Sequence, residues 1–318
     1  MPKFLLRALV ASAVVASGVA CSSGDSEDGL TLRIGATSVT GTPAGSLGWG
    51  DREGILAEKL KAAGVEKIEY SFFQSGSDAV SALIAGAVDV AAVGDNPALT
   101  ARGHDANVEL LAFDQVNQDI QIVGAKGGPT DLQGLVGKSI TAPQGTIRDR
   151  TARQLIEAAG LTGKIEVRNV PTPESIAGLN SGSIDATVVS GSSAAELAER
   201  GFPILDSLSR HGFGATGLNI SLKSFTEKHP EFRAAWQDAV TSVNRDIADN
   251  FPAFLQWVAE TDDTKLAHVE KSYSVKEFNT EAIPAVGVEQ LEAAYEFLLD
   301  DGRIDTPFSV TEWAQEKS

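Results

Sequence analysis

One cysteine, four histidines and a shortage of basic residues set the limits of this 318-residue chain. Cys21 stands alone, so no internal disulfide can form and no cysteine-based metal cluster can be assembled. His104, His211, His229 and His268 are far apart and show no metal-ligand spacing. His229 adjoins Pro230 and reads as a helix-start residue. There is no Gly-x-Ser-x-Gly elbow and no Walker A loop. Gly48-x-Gly50 is followed by Gly54, one residue too late for the dinucleotide fingerprint. Lys and Arg number 26 against 43 Asp and Glu, a formal net charge of −17. That argues against nucleic acid and anionic membrane surfaces as partners, though local groups can still hold a small anion. Carboxylates are plentiful, so an acid–base pair stays open on sequence grounds.

What remains is ordinary globular material, 42% hydrophobic and 22% charged. The length favours two domains and can bury a sizeable core without staples.

Residues 1–20 read as an export signal. Lys3 and Arg7 give a positive start, and Ala8 to Val19 is an apolar run too short to span a bilayer. Gly18-Val19-Ala20-Cys21 resembles a bacterial lipobox, in which the cysteine is lipidated and becomes the mature N-terminus. Gly18 departs from the aliphatic residue usual there. An ordinary signal peptide with a nearby free cysteine is the alternative. Ser22 to Gly29 has no apolar residue, so residues 21–30 are expected to form a lipid anchor and flexible tether.

Asp51 to Asp95 can be laid over Ile147 to Gly191. Ala62-Ala63-Gly64 matches Ala158-Ala159-Gly160, Lys67-Ile68-Glu69 matches Lys164-Ile165-Glu166, and Leu83, Gly86 and Asp89 match Leu179, Gly182 and Asp185. Leu56, Leu60 and Ala63 share one helix face, as do Ala152, Leu155, Ile156 and Ala159, and a glycine suited to a C′ position ends each. Ile68, Tyr70 and Phe72 alternate as in a half-buried strand. Val88 to Val93 reads as a parallel-sheet strand interrupted only by Asp89. Leading strands precede both copies at Leu32–Ile34 and Lys138–Ile140. Two β-α-β-α-β units follow, each suited to a doubly wound open sheet. Asp89 and Asp185, repeated beside strand ends, read as structural.

Beyond the second unit, Leu218 to Leu222 predicts a strand. A helix opens near Pro230 with Phe232, Trp236, Val240, Val243 and Ile247 as its apolar stripe. Further helices are expected from Pro252 and near Val288, the latter stopping at Asp301-Gly302. Ser309-Val310-Thr311-Glu312 is a capping-box pattern for a last short helix.

An ordered set of short stretches carries a family likeness: Phe73 to Asp78, Leu83 to Asp89, Val93 to Pro97, Asp131 to Gly134, Gly137-Lys138 and Pro143 to Thr146. Over most of residues 31–230 the chain resembles substrate-binding proteins of ABC importers, of the aliphatic sulfonate, nitrate and taurine type. The resemblance implies a type II periplasmic-binding-protein fold: α/β, two lobes, each a doubly wound open sheet with helices on both faces, a ligand cleft between them, and C-terminal helices. Lobe one would comprise 31–124 and 219–318, and lobe two 125–218, with crossings near Val123–Ala125 and Gly217-Leu218. It further implies lipid anchoring outside the cytoplasmic membrane, capture of a small organic anion by lobe closure, and delivery to a permease and its ATPase. A monomer with no cofactor, no metal and no catalysis is expected. Enzymes also share this fold, a chorismate dehydratase branch among them.

Ligands of open α/β sheets bind at the carboxyl ends of strands. Those ends carry Thr37-Ser38, Gln74-Ser75-Gly76, Asp95-Asn96, Thr146, Thr172 and Ser190-Gly191. Small hydroxyl and amide residues allow close backbone approach and N–H donation to a carboxylate, sulfonate or phosphate. They are equally common as helix caps and turns. Arg52 and Arg148 coincide in the overlay, and each is expected in the first turn of its helix. A cation there costs a few tenths of a kcal/mol against the helix dipole, which an adjacent anion would offset. Arg148 is favoured because Thr146 adjoins it, although Asp149 could pair with Arg148 or Arg150. Trp49 either covers the apolar part of a ligand or packs within a lobe. Asp95 orients loop amides, binds a ligand amine or caps the helix that follows.

Overall fold

The computed structural model describes residues 29–38, 41–104 and 106–316. The expected signal segment, Cys21 and nearly all of the tether lie outside the described residues.

From the first described residues the chain forms β1 (Leu30–Thr37), α1 (Gly45–Arg52), α2 (Ile55–Leu60), β2 (Val65–Phe73), α3 (Gly76–Ile84), β3 (Val90–Gly94), α4 (Asp95–Gly103) and β4 (Val108–Gln118). The second unit follows as β5 (Ile120–Gly124), β6 (Ser139–Ala142), α5 (Ile147–Ala158), β7 (Glu166–Asn169), α6 (Thr172–Ser181), β8 (Ala186–Ser190), α7 (Ser192–Glu199) and β9 (Ile204–Ser207). The remainder is β10 (Ala215–Leu222), α8 (Lys223–Lys228), α9 (Phe232–Asp249), α10 (Phe251–Thr261), α11 (Leu266–Val269), α12 (Ala285–Asp300) and α13 (Val310–Gln315).

Two five-stranded sheets result, ordered β2-β1-β3-β10-β4 and β7-β6-β8-β5-β9. Within each, the three strands of the duplicated unit run parallel. The fourth strand, β10 or β5, is antiparallel to both neighbours. The sheets are therefore mixed, because each receives a strand from the chain as it enters from the other lobe. The first passage falls at Asp119, between β4 and β5, and the second between β9 and β10. Both come a few residues before the crossings read from the sequence. β4 runs into β5 with a single residue between them, which leaves no composition break to read.

Alternating strand residues feed a core on each face of each sheet. Leu32, Ile34 and Val90 pack with Leu56, Trp236 and Val243 on one side of the first sheet. Ala91, Val93 and Leu218 pack with Leu83, Leu291 and Trp313 on the other. In the second sheet Ile140 and Val188 meet Leu155, while Val123 and Val189 meet Leu179 and Leu197. The expected α9 stripe is buried throughout. At about 1.5–3 kcal/mol per fully buried large side chain, that stripe alone is a substantial clamp on the first sheet. Gly302 has a φ of 69°, the left-handed conformation that a glycine stop beyond α12 requires. Ser309 accepts a hydrogen bond from the Glu312 amide at 3.1 Å and caps α13.

Candidate functional site between the lobes

Strand ends and helix starts of the two sheets meet across the lobe boundary. Ser75 caps α3, accepting from the Asp78 amide, and Thr146 caps α5, accepting from the Asp149 amide. Ser77, on α3, donates to the Gly145 carbonyl at 3.3 Å. Gly94 sits so close to Ile147 that a Cβ there would lie 3.4 Å from its side chain. Gly145, with φ 73°, makes the turn that brings this loop to the first lobe.

The charges on α5 are allotted one by one. Asp149 accepts from the Gly145 amide at 3.1 Å and from Arg153 at 2.9 Å, and Arg303 of the first lobe lies 3.4 Å away. Arg150 donates to Gln154 and, across the boundary, to Asp95, each at 2.8 Å. Arg148 is left with the Ser190 hydroxyl at 3.1 Å. Its Nε is buried with no partner, and among the described residues no carboxylate pairs with it. Burial pushes its guanidinium below the ordinary value, because desolvation disfavours the charged form. Arginine nonetheless stays protonated, so a desolvated positive charge stands beside Thr146 and Ser190.

Two acids of the first lobe are also desolvated. Asp114, near the end of β4, is pushed up to about 6 by burial. Glu277 is pushed up to about 8 by the same cause, although it accepts from the Ser274 amide at 2.9 Å. No motif marked either residue. The only sequence signal for Asp114 is a polar residue closing the apolar run Leu110 to Phe113.

Several expected site residues take other roles. Trp49 is 3% exposed, packs edge-on against Phe254 and Trp257, and donates its indole N–H to Asp246 at 2.7 Å. It belongs to the core of the first lobe, the packing alternative read from the sequence. Arg52 is not in the first turn of its helix but in the last, because Gly54 at φ 73° splits the helix in two. There the cation suits the dipole, and it lies exposed over the Trp49 ring and beside Glu53. Asp95 does not cap α4, since Gly94 holds the N-cap position. Its carboxylate is committed to Arg150 and to the Thr216 amide at 3.1 Å.

Asn96 is buried beside Asp95, and Gly76 packs against Pro97. Thr37 and Gln74 are exposed, while Ser38 and Thr172 are half-buried at the ends of β1 and the start of α6. Ser190 and Gly191 lead into α7, Gly191 at φ 62°. The tips of β2, β3, β6 and β8 thus converge. Arg150 and Thr216, which complete the convergence, were not singled out by sequence. Asp89 and Asp185 serve as struts: Asp89 accepts from the Arg33 backbone and side chain, and Asp185 from Lys138 at 2.7 Å.

Two α/β sheets facing each other across strand tips, with two chain passages between them, define the periplasmic-binding-protein class of fold. Residues 60–249 match the model described as NMT1/THI5 like, and the chain belongs to that family. It is 26% identical over 194 residues to the taurine-binding periplasmic protein of Escherichia coli (strain K12), a match covering 59% of this chain and 60% of that one. The periplasmic aliphatic sulphonate binding protein SsuA of Escherichia coli superposes with a TM-score of 0.72 at 14% identity, covering 91% of this chain and 92% of SsuA. The desulfurization enzyme DSZB superposes at 0.65 with 15% identity, covering 89% and 96%, so the fold also houses catalysis. No described helix is long and apolar enough to cross a membrane.

Proposed function

We propose that this chain is the extracytoplasmic solute-binding component of an ABC importer. It captures a small organic anion, an aliphatic sulfonate or a similar molecule, as its lobes close, and delivers it to a membrane permease. The observation that carries this reading is Arg148: a desolvated guanidinium at the lobe boundary whose neighbours Asp149 and Asp95 are engaged by other arginines. An oxyanion there would receive charged hydrogen bonds from Arg148, assisted by the Ser190 hydroxyl, whereas the Thr146 hydroxyl is spent on the Pro143 carbonyl at 2.6 Å. The names of the taurine-binding relative and of the sulphonate-binding neighbour support the same ligand class. Lipidation of Cys21 would tether the protein at the outer face of the cytoplasmic membrane, as a monomer. Its role is binding, with no turnover.

A neutral or cationic heterocycle, such as a thiamine pyrimidine precursor, would call for a free Asp95 and an exposed aromatic wall. Asp95 is spent on Arg150, and Trp49 is spent on the core.

Thermal unfolding with alkanesulfonates, taurine, nitrate and thiamine precursors tests the choice. A ligand at 100 times its Kd adds about 2.7 kcal/mol. Stabilisation by a heterocycle and by no anion would overturn the reading. Recovery of a bound solute chemically altered would replace binding by catalysis. Loss of membrane association in Cys21→Ser tests the anchor.

A further inference from the structure

We propose that Asp95 and Arg150 form a closure lock, a two-part device that sets the open-to-closed equilibrium and aims Arg148 at the ligand. This rests on the anion-binding reading for the role of Arg148, but not for the lock itself.

The two side chains belong to different lobes. Asp95 opens α4 on the first sheet, and Arg150 sits in the second turn of α5 on the second. Their side chains are 0% and 1% exposed and 2.8 Å apart. Each half is oriented within its own lobe. The Thr216 amide on β10 donates to the same Asp95 oxygen, while Gln154, one turn along α5, accepts from Arg150. These supports stay in place when the lobes part, so each half is held ready to meet the other.

The meeting is finely balanced. Asp95 Oδ1 and Arg150 Nε remain without a protein partner among the described residues. A buried pair repays its desolvation only with good geometry and satisfied remaining atoms, and this one satisfies only part of them. The pair therefore specifies how the lobes close more than it drives closure. Removing one partner is different: it leaves an uncompensated charge that is buried only in the closed form.

The lock also aims Arg148. Successive residues turn by about 100° around a helix, so Arg148 and Arg150 point to nearly opposite sides of α5. Fixing Arg150 against α4 fixes the rotation that turns Arg148 toward Ser190. Arg150 acts through helix position and is a positioning residue.

Taurine binding by calorimetry, together with the lobe-to-lobe distance between spin labels at Lys61→Cys and Arg168→Cys in a Cys21→Ser background, tests this. Arg150→Met should raise the taurine Kd about 100-fold and leave the lobes apart at concentrations that close the parent protein. Asp95→Leu combined with Arg150→Met should restore closure and return Kd to within about tenfold, since an apolar pair of similar volume is often neutral. A single variant that closes normally, or a double variant as weak as the single one, overturns the lock. If Arg150→Met does not fold, Asp95→Asn reads the same coupling. If the parent binds neither taurine, ethanesulfonate nor sulfate, the anion reading fails. The lock is then judged by distance alone: the ligand-free closed fraction must fall in the single variant and recover in the double.

Discussion

In the first copy of the duplicated unit the helix after the leading strand is broken. α1 ends at Arg52, Gly54 turns the chain, and α2 restarts at Ile55. In the second copy α5 runs unbroken from Ile147 to Ala158. The break changes what the matching arginines can do. Arg52 is carried to a helix end, over Trp49 and into solvent. Arg148 stays in the first turn, desolvated beside Ser190. Elsewhere the copies agree: Gly64 and Gly160 both take positive φ, as do Gly86 and Gly182. Duplication preserved the frame, and the broken helix in one copy separated an exposed cation from a desolvated one.

The sharpest test of that contrast is ligand affinity. Arg148→Ala should weaken an anion such as taurine by about 1.5–3 kcal/mol, roughly tenfold to more than a hundredfold. Arg52→Ala should leave Kd within about twofold, as expected of an exposed charge. Equal losses in calorimetry would erase the distinction.

The lobes also differ in their acids, and pH exposes the difference. Glu277 in the first lobe keeps its proton up to about pH 8, against an ordinary 4.5. Its folded-state pKa is raised, so its contribution to stability is full below about pH 4.5 and is lost as pH rises through about 8. Glu277→Gln removes that loss. At pH 9 it should stabilise the protein by about 2 kcal/mol relative to the parent, and at pH 4 by little. A stability difference independent of pH, measured by urea unfolding, would remove the buried carboxyl from the account.

Much of the frame was legible because it is written in periodic patterns. The overlay located both units and both helix-ending glycines, and helical periodicity located the α9 stripe from Phe232 to Ile247, all local signals of side-chain spacing. β4 and β5 were not legible as two strands, because nothing in composition marks a passage between sheets. The site was legible as a set of loops rather than as pairings. Thr146, Arg148 and Ser190 stood out by chemistry, yet whether Arg148 or Arg150 remained unpaired depended on which carboxylates the other lobe presented. Asp95 looked like a cap because sequence shows its distance from α4 and not its distance from Arg150. Trp49 stayed open between ligand cover and core packing because flanking glycines fit either a loop or a close helix contact. In the fold those glycines let α1 press against Pro43 and Val243, with no room for a Cβ at Gly48 or Gly50.

The two struts offer a smaller contrast. Asp89 is nearly buried and takes three N–H groups of Arg33, whereas the Asp185 side chain is 38% exposed and takes one bond from Lys138. Asp89→Ala should cost about 2 kcal/mol and Asp185→Ala less than about 1 kcal/mol. Similar costs in denaturant unfolding would mean that the strut matters by position rather than by burial.

Where the copies truly coincide, substitution should not tell them apart. Gly64 and Gly160 close equivalent helices at φ of 75° and 68°, and a Cβ at either would meet open space. Steric crowding is thus absent, and the only cost is holding an L-residue in the left-handed region, about 1 kcal/mol. Gly64→Ala and Gly160→Ala should lower stability by that amount each, and by their sum together, because the sites lie in different lobes and share no partners. A double variant costing clearly more than the sum would show that the two helix ends communicate, and the picture of two independent copies of one frame would have to be given up.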